Sequence, residues 1–191
     1  MKKRIIGLLA AALLLTALLA GCNQEPVEVS APEWSTVSDS TSGFSYEVPA
    51  DWVITEDVTG QGSIIYVPED ADVSNGSSNV NILVQNINGQ KAASMKDMKN
   101  ALETQLVDQL LANGFEKVEN LKVEELQAPI GDVCVVSYDI YLSGIKFMQT
   151  QYYPLIDDYT VVITATNIGD SVEPSPEEVA EYMAMTLKAA E

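Results

Sequence analysis

Residues 132–167 constrain this chain more than any other stretch. They read DVCVVSYDIYL, then Ser143-Gly144, then IKFMQTQYYPLI, then Asp157-Asp158, then YTVVITATN: three runs of β-branched and aromatic residues separated by two-residue turns. Connections that short can join only antiparallel neighbours, because a parallel pair needs a crossover of about a dozen residues or more. The segment therefore predicts a three-strand antiparallel meander. In its first run Cys134, Val136, Tyr138, Ile140 and Leu142 alternate with Val133, Val135, Ser137, Asp139 and Tyr141. The first set is a core face, and the second starts apolar and ends polar. That predicts helices on both sides of the sheet, with one end left open.

The remaining elements fit around this meander. GFSYEVPADWVITEDV alternates through Phe44, Tyr46 and Val48, turns at Pro49-Ala50-Asp51 and resumes at Trp52 and Ile54. SIIYVPE (63–69) and NVNILVQNI (79–87) predict two more strands, with Asn75-Gly76 in the polar loop between them. Over 94–113 the period changes: Met95, Met98, Leu102, Leu106 and Leu110 mark one face of a helix. Ser94 with Asp97 resembles a capping box, and Asn113-Gly114 supplies the stop. Residues 115–128 are strand-like but charged, as an edge strand or hairpin arm would be. Ser175-Pro176-Glu177-Glu178 opens a closing helix whose Val179, Met183 and Leu187 face the sheet. The expected class is α+β, an antiparallel β-sheet with a terminal three-strand meander flanked by two main helices.

Charge and missing residue types exclude several functions. The chain has 28 acidic residues, ten basic ones and no histidine, for a net charge of −18. Absence of histidine removes the commonest general base and metal ligand, and with it any Ser-His-Asp or Cys-His enzyme. Nucleic acid is repelled by such a balance.

Before the domain, Met1-Lys2-Lys3-Arg4 is followed by fifteen uncharged residues, Ile5 to Leu19. As a helix these span roughly 22 Å, short of the ~30 Å hydrocarbon core, so the pattern predicts a leader. It ends in Leu19-Ala20-Gly21-Cys22, which resembles the bacterial lipobox. That resemblance implies cleavage after Gly21 and diacylglyceryl attachment to the Cys22 thiol. Two acyl chains at about 0.8 kcal/mol per buried CH₂ suffice for stable anchoring. Cleavage would leave seven lysines, no arginine and all 28 acidic residues, a net charge of −21. With Cys22 lipidated, Cys134 stands alone and no intrachain disulfide is available. The expected division is 1–21 as signal peptide, 22–33 as lipidated cysteine and tether, and 34–190 as one domain.

The Phe44-Ser45-Tyr46 motif with Pro49 and Trp52, the central amphipathic helix, the late meander and the closing MAMTLK together resemble the PsbP-like fold, shared by PsbP and by DcrB-type bacterial lipoproteins. The resemblance implies Phe44 and Tyr46 in the core, Pro49 ending a strand and Trp52 closing the sheet. It carries over no catalytic residue, and it implies an accessory or adaptor role.

Candidate sites are few. Asp70, Asp72 and Ser74 alternate like the start of a calcium loop, but Asn75 and Asn81 stand where glycine and glutamate belong. A solvated turn is the favoured reading and weak calcium binding the alternative; no other cofactor is expected. Asp157-Asp158 and Asp139 are paired-carboxylate candidates for acid/base work, against a plain turn role that is favoured for the pair. Cys134 reads as an inert core thiol. Tyr138 and Tyr153 are assigned to the core, whereas Tyr141, Tyr152 and Tyr159 are candidates for a groove at the sheet end. Their β-propensity alone is the plainer account.

The sequence thus leads to the expectation of a lipid-anchored, non-enzymatic binding or adaptor lipoprotein on the extracytoplasmic face of the cell membrane, with an envelope protein as partner. The alternatives are a small-ligand or calcium-binding lipoprotein and, less favoured, an enzyme using carboxylates alone.

Overall fold

The meander forms as its turns require. In a computed structural model, β7 (Gly131–Leu142), β8 (Ile145–Ile156) and β9 (Tyr159–Asn167) pair in sequence order, all antiparallel. Ser143 and Gly144 both take positive φ, 54° and 77°, at the first turn. This is the primed geometry whose twist matches the flanking strands. The structure describes residues 32–39, 42–55, 63–71, 77–169 and 171–190.

Around the meander a seven-stranded sheet runs in the order β3-β4-β5-β9-β8-β7-β6. It adds β3 (Trp52–Thr55), β4 (Ile64–Pro68), β5 (Asn79–Asn86) and β6 (Lys117–Ala128). β6 is an edge strand, as its charge pattern predicts, and its register slips between Glu119 and Lys122. The slip sits at Asn120, whose φ is 55°, a conformation asparagine tolerates better than most residues.

One expectation is corrected. The sequence around Pro49-Ala50-Asp51 reads as one sheet turning back on itself, yet the strands on either side belong to different sheets. β2 (Phe44–Pro49) leaves β3 and joins β1 (Trp34–Asp39) and β10 (Lys188–Ala189) in a separate three-stranded sheet of order β1-β2-β10. Asp51 O accepts from Glu69 N at 3.0 Å while Ala50 N donates to Glu33 O at 2.8 Å, so each side of the bend is held by its own sheet.

The two faces of the large sheet are covered differently. On one, α1 (Met95–Ala112) packs against β6 and β7 through Met95, Met98, Leu102, Leu106 and Leu110, meeting Cys134, Val136, Tyr138 and Ile140. Ser94 Oγ accepts from Asp97 N at 3.2 Å, and the Asp97 carboxylate binds that same hydroxyl at 2.7 Å, so only half of the expected box forms. On the other face α2 (Pro176–Thr186) and the small sheet bury the main core. The reciprocal box at Ser175 and Glu178 is complete, and Val179, Met183 and Leu187 are 0–1% exposed. Phe44, Tyr46 and Trp52 are buried as the resemblance implies.

A polar link joins the two sheets inside this core. Tyr46 and Tyr66 place their hydroxyls 2.9 Å apart, with rings edge to face at 6.2 Å, and each residue is 1% exposed. Removing one hydroxyl strands the other away from water. Tyr46→Phe and Tyr66→Phe are each expected to cost about 1–3 kcal/mol, with the double variant costing clearly less than the two together. Urea unfolding of the four proteins at neutral pH measures this, and strict additivity would refute the pairing.

Candidate binding surface

The open sheet end expected from β7 is present, on the face that α2 covers elsewhere. Beyond α2 the strands carry Tyr141 between Lys117 and Lys146 in one cross-strand row, then Asp139 between Glu119 and Met148 in the next. Every charge here is tied to a neighbour. Lys117 Nζ lies 2.6 Å from Glu119 Oε1 and 5.2 Å from the centre of the Tyr141 ring, a cation–π contact. The hydrogen bond to Glu119 raises the Lys117 pKa, and the bonds from Lys117 and then Tyr141 hold the Glu119 carboxyl below its usual range. Asp139, only 8% exposed, accepts from Asn120 Nδ2 at 2.6 Å and pairs with Lys146 at 3.0 Å. That hydrogen bond raises the Lys146 pKa.

Beside this row Glu116 closes the hairpin tip, its two carboxylate oxygens accepting from Ser143 N at 3.0 Å and Gly144 N at 3.3 Å. Leu142 and Ile145, directly paired at the tip, are 43% and 55% exposed. Sequence reading found Tyr141 and Asp139 here but missed Lys117, Lys146, Glu119 and Asn120. Three of these lie on β6, whose register depends on a bulge.

The proposed tyrosine groove does not form. Tyr152 is 4% exposed in the main core, its hydroxyl 3.5 Å from Glu177 O under α2, and burial pushes its pKa well up. Tyr159 meets Phe44 edge-on, with ring centres 5.0 Å apart. Tyr141 pairs with Lys146 and Tyr159 with Ile156, opposite ends of β8. At about 3.4 Å per residue the two are roughly 30 Å apart. Only Tyr141 belongs to the open end.

The other candidates separate as follows. Asp157 Oδ1 accepts from Ala92 N at 3.0 Å and Asp158 Oδ1 from Gly89 N at 2.7 Å. Both carboxylates clamp the connection from β5 to α1, and neither stands beside Asp139. Cys134 is fully buried, and desolvation raises its pKa, so the thiolate is disfavoured. Asp70 is exposed and lines a groove of about 510 Å³ with Asp51, Glu69 and Glu173. Among the described residues no group of three or more His, Cys, Asp or Glu side chains is placed to hold a metal. Asp72, Ser74, Gly21 and Cys22 lie outside the described residues. Among the described residues no helix is long and apolar enough to cross a membrane.

No protein-family model matches the chain, and neither does any curated protein. Solved structures do. The chain is similar to cyanobacterial PsbP (CyanoP) from Synechocystis sp. PCC 6803, known in solution, with TM-score 0.57 and 12% identity over 90% of this chain and 98% of that one. It is also similar to a crystal structure from Bacteroides thetaiotaomicron VPI-5482, with TM-score 0.54 and 17% identity over 82% of this chain; the match spans 48% of that protein. The fold is therefore α+β and PsbP-like.

Proposed function

We propose that the protein is a lipid-anchored, extracytoplasmic adaptor of the bacterial cell envelope that binds a partner protein and turns nothing over. The observation that carries this reading is the open sheet end at Tyr141. It is strand-borne, so its geometry is rigid, and its charges are engaged pairwise, which suits recognition better than proton transfer. The row Lys117–Tyr141–Lys146 offers cations and an aromatic ring in a chain otherwise dominated by carboxylates. Such a row fits an envelope protein presenting acidic and apolar groups. The lipobox-like Leu19-Ala20-Gly21-Cys22 supports anchoring through Cys22, and the PsbP-like fold raises the weight of an accessory role.

Cross-linking of intact cells expressing tagged protein tests it. A single envelope partner is expected to co-purify with the parent chain. It should be lost with Cys22→Ser and weakened about tenfold by Lys117→Ala with Tyr141→Ala. A hydrolytic or transfer activity abolished by substituting one carboxylate would overturn the reading. The groove of about 510 Å³ lined by Asp51, Trp52, Glu69, Asp70 and Glu173 supports a second one, small-ligand binding. An unchanged melting temperature with a metabolite panel would remove it.

A further inference from the structure

The α1 face of the large sheet is only partly used. α1 packs at the β6–β7 end, and α2 lies against the opposite face. From β8 across β9, β5 and β4 to β3, the alternate residues on this side are Gln149 and Gln151, Thr160 to Thr166, Asn79 to Gln85, Ile65, Val67, Val53 and Thr55. Among these described positions not one is charged, in a chain with 28 acidic residues. A solvent-facing sheet surface in so acidic a protein ordinarily carries its share of carboxylates.

The polar groups are also arranged. Asn79, Thr166 and Gln149 form one cross-strand row, and Asn81, Thr164 and Gln151 form the next. Each glutamine is held by a tyrosine on the same face. Tyr138 Oη donates to Gln149 Oε1 at 3.0 Å, and Gln149 Nε2 donates to Thr166 Oγ1 at 3.2 Å. In parallel, Tyr153 Oη donates to Gln151 Oε1 at 2.6 Å, and Gln151 Nε2 reaches Thr164 Oγ1 at 3.5 Å. With the oxygens already accepting, the Thr166 hydroxyl hydrogen and the second amide hydrogens remain to donate outward, whereas Thr164 is buried at 6% exposure. Leu83 and Val162, directly paired, add an apolar row beside the two polar ones.

We propose that this face binds a neutral glycan. An uncharged ligand rich in hydroxyls matches rows of amides and hydroxyls that carry no charge, and the C–H faces of sugar rings match the Leu83–Val162 row. A flat, strand-built surface suits an extended chain, with polar groups repeating at about 4.8 Å across strands and about 6.8 Å along them. A second copy of this protein fits less well, since sheets that pack face to face interdigitate apolar side chains. Glycan binding goes beyond the adaptor role and uses the face opposite the Tyr141 row.

Native gel electrophoresis of the full chain tests this, in a polyoxyethylene detergent that carries no sugar. The gels contain a soluble β-glucan, a mannan or a dextran, each uncharged. Retardation by at least one of the three is expected. It should weaken about tenfold in Gln149→Ala with Gln151→Ala and in Asn81→Lys, with near-UV circular dichroism unchanged. Lys117→Ala, on the opposite face, should leave it intact, which separates this site from the adaptor surface. No retardation by any of the three, or retardation that survives both face variants, would overturn the proposal. So would a dimer in sedimentation that Asn81→Lys dissociates, which would give the face to a second copy.

Discussion

The protein is expected to unfold cooperatively in mild alkali, between about pH 10 and pH 12. Burial raises the pKa of Tyr46, Tyr138 and Tyr152 far above the ordinary phenol value, and raises that of Tyr153 to about 12. Tyr66 shifts the same way for the same reason. A phenol whose folded pKa lies above its unfolded value keeps its proton in the native state while the unfolded chain loses it. Its contribution is fully present below about pH 10 and is lost as pH rises toward the folded value. Each such group withdraws about 1.4 kcal/mol per pH unit in that window, so four together withdraw about 5. Against a total stability of about 5–15 kcal/mol, one to three units suffice. The buried Cys134 thiol and the paired Lys99, Lys117 and Lys146, all with raised pKa, act in the same direction. Circular dichroism during alkaline titration, with tyrosinate absorbance at 295 nm followed in parallel, checks it. Tyrosinate from these five of the eight tyrosines should appear together with the loss of structure; all eight forming with the fold intact would show that these phenols are reachable by solvent.

How much was legible follows from the range of each signal. The meander, α1 and α2 declare themselves within a dozen or so residues, through period, turn residues and caps, as at Ser175 and Asn113. The second sheet does not. β2 takes its partners from the two ends of the domain, Trp34–Asp39 and Lys188–Ala189, and β10 is only two residues long. No local pattern announces a pairing that distant, and WSTVSD is too polar and too exposed to read as a strand. At the candidate site the open end follows from the polar drift along β7, but its lysines come from β6, where Asn120 shifts the register. The tyrosine groove failed for a reason that alternation does reveal in part. Tyr152 pairs with Val135, on the half of the strand that is apolar on both faces, and only α2 overhead decides that it is sealed.

Met183→Ala is expected to be the most damaging single truncation, costing about 2–5 kcal/mol. Met183 is fully buried on α2, in the cluster that joins Phe44 and Tyr46 of the small sheet to Ile82, Ile163 and Tyr152 of the large one. α2 is the element that spans both sheets, packing against β2 on one side and β9, β8 and β5 on the other. A cavity there has rigid strands on two sides and collapses poorly, which places the cost toward the upper part of the range. α1 provides the comparison. Leu102 is its one buried residue, still 8% exposed, and the helix packs on a sheet edge that is otherwise charged. Leu102→Ala should therefore cost about 2–3 kcal/mol, near the lower end. Urea unfolding of both variants at neutral pH ranks them. If Leu102→Ala proved the more damaging, the core would be centred under α1, and the small sheet with β1 and β10 would be an appendage instead of one wall of the main core.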